Sequence, residues 1–395
     1  MSNPEVFIVS GARTPIGDFG GALKDIPPIA LGAHAAKAAI TRAGIAAEDV
    51  GHTVVGNVIH TEARDMYISR VVAMEAGVPK EVPALTVNRL CGSGLQAIVN
   101  ATQILKLGDA EIALAGGAES MSRGGYLMPA ARWGQRMGPT TAVDMMVGVL
   151  TDPFGHGHMG VTAENISERY QVSREDQDAA AVESHRRAAA AIAAGHFKDQ
   201  IAPVEVASRK GSVMFDTDEH VRAEVGAADM AKLKPVFKKD GSVTAGNASG
   251  INDGSGMVVL ATGAAVKARG LKPMARLVSY GLAGVDPSEM GMGPVPAVKT
   301  ALAKAGLTLD DIDVIESNEA FAAQACAVSR ALGFDPAKVN PNGGAIALGH
   351  PVGASGAILA VKTIYELQRT GKRYGLITMC IGGGQGIAAI VERAD

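Results

Sequence analysis

Lys37-Ala-Ala-Ile-Thr-Arg-Ala-Gly44 and Lys299-Thr-Ala-Leu-Ala-Lys-Ala-Gly306 share one pattern at an offset of 262 residues. The same offset sets Glu48-Asp49-Val50 against Asp310-Asp311-Ile312, and Ser93-Gly94 against Ser355-Gly356. Three landmarks at one spacing point to two copies of a single unit. Within each copy, helices and strands alternate. Ala-rich helices over 31–42 and 296–304 end at Gly44 and Gly306, as glycines end helices. Strands follow over 54–58 and 314–317, then helices from about 94 to 107 and from 357 to 369. Ile112-Ala-Leu-Ala115 and Gly375-Leu-Ile-Thr-Met379 are unbroken apolar runs closing each copy before Gly-Gly, and such runs suit strands buried on both faces. The fold class is therefore α/β. One half covers 1–120 and 251–271, and the other covers 272–395. Residues 121–250 have no counterpart in the second copy. They carry Met, Pro, His and charged residues, with a helix-like stretch at 175–194. This insert is expected to fold over the repeated core, where long insertions often carry binding surfaces.

Composition narrows the function. The 395 residues are 47% hydrophobic and 19% charged, which describes a chain that buries a core. Forty-nine glycines suggest close helix–sheet contacts and loops that approach a ligand. A net charge of −3 does not call for nucleic acid, so an anionic ligand must meet a local basic patch. Val6-Phe-Ile-Val-Ser10 reads as a first buried strand. No leader pattern, membrane span or terminal address is visible, and a cytoplasmic enzyme is the expectation. Cys91, Cys326 and Cys380 are too few and too far apart for a disulfide framework or a zinc cluster. The question they leave is whether one of them is a nucleophile.

Cys91 lies in Val87-Asn-Arg-Leu-Cys-Gly-Ser-Gly-Leu-Gln-Ala97, where a strand gives way to small residues and then a helix. A cysteine at a helix N-terminus faces unsatisfied N–H groups and the positive end of the dipole, which favour the thiolate. A lone cysteine is as readily a packed structural thiol, and this stretch alone leaves both readings open. His350, in Ala347-Leu-Gly-His-Pro-Val-Gly-Ala-Ser-Gly356, sits between Gly and Pro in a tight loop before a helix. There it can take a proton from a thiol, or serve only as a hydrogen-bonded loop residue. Cys380 ends a buried strand in Thr378-Met-Cys-Ile-Gly-Gly-Gly384, and the amides of such a loop can form an oxyanion hole. Cys326 lies on an apolar helical stretch, where packing is the expected role.

Taken together, these segments resemble the thiolase family along essentially the whole chain. The similarity is closest to bacterial acetyl-CoA acetyltransferases, the short-chain β-ketothiolases. Four motifs in order carry it: Cys91-Gly-Ser-Gly-Leu-Gln-Ala97, Ser317-Asn-Glu-Ala-Phe-Ala322, Gly349-His-Pro-Val-Gly-Ala-Ser-Gly356 and Cys380-Ile-Gly-Gly-Gly384. The resemblance implies a five-layered αβαβα fold of two similar halves plus a loop domain. It implies that Cys91 becomes acylated, that His350 activates it, and that Cys380 is the acid/base for the leaving group or the α-proton. Asn318, holding a water, and His350 would serve one oxyanion hole, and the amides of Cys91 and Gly382 the other. No metal or redox cofactor is implied, acyl-CoA and CoA being substrates. In the insert, Gly157-His-Met-Gly160 resembles the family's short-chain signature. His158 and Met159 would then line the pantetheine and acyl pocket with Leu150, Met290 and Phe321. Ala245 and Ser249 match positions on the pantetheine arm, and Arg222 matches one near the adenine. For the Met and Phe residues the competing reading is ordinary core. Tyr126-Leu-Met-Pro-Ala-Ala-Arg-Trp133 corresponds to the loop that builds a homotetramer, a dimer of dimers.

Some positions depart from the family pattern. Ser317 replaces a usual alanine, and its hydroxyl is expected to alter the bonds of Asn318. Asp229 stands where serine is common near the nucleotide, and Asn252-Asp-Gly-Ser-Gly-Met257 replaces a more alanine-rich run. Three other readings compete. A ketoacyl-synthase type of condensing enzyme resembles a Cys-His-His arrangement, from which Cys380 and Asn318-Glu-Ala-Phe321 point away. A thiol redox protein would pair Cys91 with Cys380, but there is no Cys-x-x-Cys and the His350 loop would have no use. A non-catalytic scaffold has no need of the intact reactive set.

Overall fold

Gly44 and Gly306 both stand at helix ends in the left-handed conformation, at φ 68°, ψ 29° and φ 67°, ψ 29°. Glycine reaches that conformation without the strain a Cβ would bring, which is why it stops both helices. The computed structural model describes residues 4–208 and 211–394. The outermost ends of the expected halves, 1–3 and 395, lie outside the described residues, as do 209–210 of the insert.

The first half contains β1 (Val6–Arg13), α1 (Pro28–Ala43), β2 (His52–Gly56), α2 (Ile68–Glu75), β3 (Ala84–Val87), α3 (Ser93–Leu107) and β4 (Ile112–Ser120). It is completed by β5 (Asn252–Thr262), which pairs antiparallel with both β4 and β1. Between β4 and β5 runs the insert, with helices α4 (Met159–Arg169) and α5 (Arg174–Ala193). The second half contains β6 (Ala275–Gly284), α6 (Pro294–Ala305), β7 (Val314–Ser317), α7 (Ala322–Leu332), α8 (Ser355–Thr370), β8 (Tyr374–Ile381) and β9 (Gln385–Arg393).

The strands run in the order β7-β8-β9-β6-β1-β5-β4-β2-β3. The first half contributes β2-β4-β5-β1 and the second repeats the arrangement as β7-β8-β9-β6. The two sheets meet where Phe7 and Ile8 of β1 pair with Arg276 and Ala275 of β6. Three apolar cores stack through the molecule. Helices α1 and α2 cover one sheet, with Ala39 and Val72 against Val55 and Leu114. Helices α3 and α8 fill the centre, where Leu95, Ile98, Leu359 and Ile364 meet side chains from both sheets. Helices α6 and α7 cover the far sheet, with Val298 and Val328 against Leu376 and Ile390. The result is a five-layered αβαβα fold. Along β4, Ile112 and Leu114 face the outer core while Ala113 and Ala115 face the central one. That alternation across a strand covered on both sides explains its unbroken apolar run.

One expectation changes. Gly116-Gly117 does not end the strand, because β4 runs on to Ser120. A Cβ on Gly117 would strike the Gly353 carbonyl, so the pair serves close packing against the second half. In the second half the corresponding place is taken by Gly382–Gly384, which turn β8 directly into β9. The insert therefore stands where its twin half has a three-residue turn. Among the described residues no helix is long and apolar enough to cross a membrane.

Candidate active site

Cys91 sits in the sharp turn between β3 and α3. Leu90, just before it, holds φ at 45°, a left-handed backbone that costs a bulky residue about 1–2 kcal/mol. Ser93 braces this turn, since its Oγ accepts from the Arg89 amide at 2.8 Å and donates to the Leu90 carbonyl at 2.7 Å. Arg89 reaches across to the other half, its Nη1 donating to Gln385 Oε1 at 2.9 Å.

At the repeat-related place, Ser355 braces His350. Its Oγ lies 2.6 Å from His350 Nδ1 and donates to the Pro351 carbonyl at 2.9 Å. With that proton committed, Nδ1 carries the ring hydrogen and Nε2 keeps its lone pair as an acceptor. Asn318 Nδ2 is placed 3.4 Å from Nε2, consistent with that tautomer. The His350 amide is fixed by donation to Asn252 Oδ1 at 2.9 Å.

Cys91, His350 and Cys380 line one cavity of about 370 Å³. Gly382, Leu150, His158 and Met159 line it too, as do Ala245, Ser249, Met290 and Phe321. Asn318 lies behind His350, 1% exposed, with its Oδ1 unpartnered. Its own amide donates to the Thr378 carbonyl at 3.0 Å, tying it to the strand that carries Cys380. Arg222 does not reach the cavity of Cys91. It lines an adjoining cavity of about 310 Å³ with His185, His220 and Asp229, joined to the first through Ala245 and Ala248. Asp229 accepts from Lys232 Nζ at 3.0 Å on the surface. The Ser317 hydroxyl makes no bond to Asn318 and has no partner at all, so the expected interference is not seen.

The expectation of a thiolate-favouring helix end gives way to burial. Loss of solvent pushes the Cys91 thiol up to about 11, against the amides of Gly382 and of Cys91 itself, which point at the sulfur. Cys380, fully buried, is raised further by burial and by the nearness of Cys91. Burial lowers His350 to about 4. At neutral pH the resting site is therefore two thiols and a neutral imidazole. Among the described residues, Cys326 is away from this site, half-buried against the apolar cluster of α6 and α7.

Sequence reasoning missed Phe237. Its ring stacks on His158 at 4.7 Å and meets Phe321 edge-on at 6.1 Å, fixing one wall of the cavity. It stands in Lys234-Pro-Val-Phe-Lys-Lys239, which has no periodicity to reveal it. Met121, Val149 and Val352 were also missed; they form an apolar surface beside Cys91.

Two thiols and an imidazole gathered in one cavity at the junction of two duplicated α/β halves are the arrangement of an acyl-transferring enzyme of the thiolase type. The thiolase N-terminal domain pattern matches residues 6–264 and the thiolase C-terminal domain pattern residues 271–393. The chain belongs to the thiolase family. It is 64% identical to the β-ketothiolase BktB of Cupriavidus necator over 390 residues, covering 98% of this chain and 99% of that one. It also matches human mitochondrial 3-ketoacyl-CoA thiolase at a TM-score of 0.98 and 46% identity, covering 100% of both chains. The same human protein in complex with CoA matches at 0.96 and 46%, covering 99% of this chain and 98% of the other.

Proposed function

We propose that this acyltransferase is a β-ketothiolase: it cleaves short-chain 3-ketoacyl-CoA with CoA, and in reverse condenses two acyl-CoA units, through an acyl thioester on Cys91. One observation carries the reading: Cys91, His350 and Cys380, far apart in sequence, line a single cavity.

In the cleavage direction His350 Nε2 takes the Cys91 proton while the sulfur attacks the 3-keto carbon. The C2–C3 bond breaks, the acyl group stays on Cys91, and Cys380 gives its proton to C2 of the departing acetyl-CoA enolate. Incoming CoA then returns a proton to Cys380 and its sulfur attacks the thioester. Acyl-CoA leaves, and Cys91 recovers its proton from His350. The gap between about 11 for Cys91 and about 4 for His350 makes a separated thiolate–imidazolium pair cost roughly 10 kcal/mol before their mutual attraction. The resting thiol therefore keeps its proton until substrate is in place, and little free thiolate accumulates. The amides of Gly382 and Cys91 support one oxyanion hole, and His350 with Asn318 the other. Each such donor is worth about 3–4 kcal/mol in the barrier. The chemistry uses no metal or redox cofactor.

We place the pantetheine arm along Ala245 and Ser249, and the nucleotide near Arg222. The enzyme is proposed to be a cytoplasmic homotetramer. Support for the oligomer comes from exposed apolar residues in the insert, with Tyr126 66% and Trp133 84% exposed. Purified protein should release acyl-CoA from acetoacetyl-CoA and 3-ketovaleryl-CoA in a CoA-dependent assay, with rates falling for longer 3-ketoacyl chains. Absence of thiolysis with all of them contradicts the proposal.

A further inference from the structure

Strand β4 is buried at all nine positions, and its one charged residue is Glu119. The repeat puts Ile381 at the corresponding place of the second half, where it packs in the central core and against Gly92. A carboxyl group in that position loses its solvent, and burial raises it to about 8. Four N–H groups nevertheless converge on it. Oε1 accepts from Asn57 Nδ2 at 2.9 Å and from the Ile59 amide at 3.0 Å. Oε2 accepts from the Val58 amide at 3.1 Å and from the Gly353 amide at 2.8 Å. A protonated carboxyl would turn its own hydrogen toward one of these donors, so the geometry favours the anion against the rise that burial brings.

The four donors come from opposite halves. Asn57, Val58 and Ile59 follow β2. Gly353 lies between His350 and Ser355, the residue that holds its ring, and is the repeat partner of Cys91. We propose that Glu119 is a positioning residue of the reaction: its buried carboxylate clamps the His350 loop of one half to the 57–59 loop of the other, and so sets how the imidazole meets Cys91. Its charge has a second effect. Asp65 bears on Glu119, and the Glu119 charge opposes a thiolate on Cys91. This inference rests on the acyl-Cys91 reading above.

Glu119→Gln keeps the shape, removes the charge and turns an NH2 group against two of the four donors. A displaced imidazole should lower kcat for thiolysis about 10- to 100-fold, with KM for CoA held within about twofold. Alkylation of Cys91 by iodoacetamide, followed by mass spectrometry of its peptide, should shift to lower pH. A merely structural glutamate would not move that profile downward. Unchanged kcat, or a profile that stays put or moves to higher pH, overturns the proposal. If Glu119→Gln does not fold, Asn57→Ser removes one donor and leaves the charge. A several-fold lower kcat with an unmoved Cys91 profile then supports the clamp, and wild-type kcat or a moved profile overturns it. Continued turnover by wild-type enzyme after alkylation of Cys91 would instead defeat the nucleophile reading, so the two failures are distinct.

Discussion

Burial separates the roles proposed for Cys91 and Cys380. A thiol as deeply buried as Cys380 is a weak acid, and the thiolate it forms is correspondingly basic, as removal of the weakly acidic α-proton of a thioester requires. Cys91 differs in having two amides, of Gly382 and of Cys91 itself, aimed at its sulfur. Cys380→Ser should accordingly still accept an acyl group on Cys91. It should lose exchange of the acetyl-CoA α-protons with deuterium by about 10²- to 10⁴-fold, measured by NMR. Undiminished exchange would assign the base elsewhere. The three residues of the proposed chemistry stood out in the sequence because each is a thiol or imidazole set among small residues at the end of a strand or the start of a helix. Their protonation states were not legible, since a helix terminus is visible in sequence while the depth of burial is not. Glu119 left a signal that was passed over: a lone carboxylate ending an otherwise apolar strand.

Among the elements, α3 and α8 decide the geometry of the centre. They cross where a Cβ on Gly94 would lie 2.7 Å from the Ala357 amide nitrogen and one on Gly356 would strike that of Leu95. The repeated Ser-Gly is thus a matched contact, with each serine bracing a reacting residue and each glycine letting the helices touch. Gly356→Ala should cost about 1–3 kcal/mol through overpacking, seen as a lower midpoint in chemical denaturation. An unshifted midpoint would remove the close crossing from the account. Helix ends were legible to within a few residues wherever a glycine cap marked them. The run through Gly116 and Gly117 was misread because glycine marks a strand's end and a tight sheet contact with the same letter.

At the scale of the molecule, duplication followed by divergence makes one site from two halves. One half supplies Cys91 and the other His350 and Cys380, while the insert that replaces the Gly382–Gly384 turn walls the cavity with His158, Met159 and Phe237. The offset of 262 made this two-part architecture readable before any coordinates. The inner surface of the insert was readable only through resemblance, because its contacts follow no period. Its outer surface carries Trp133 and Met137, 84% and 91% exposed, which are expected to meet a second dimer. Trp133→Asp should therefore elute as a dimer in size-exclusion chromatography while wild type elutes as a tetramer, and equal elution would contradict that assembly. The central claim is the covalent intermediate. The direct measurement is mass spectrometry of the enzyme quenched during turnover with acetoacetyl-CoA. One acetyl group should be found on the Cys91 peptide of wild type, and neither acetylation nor turnover in Cys91→Ser. Acetyl on another residue, or turnover that survives in that variant, would contradict the account.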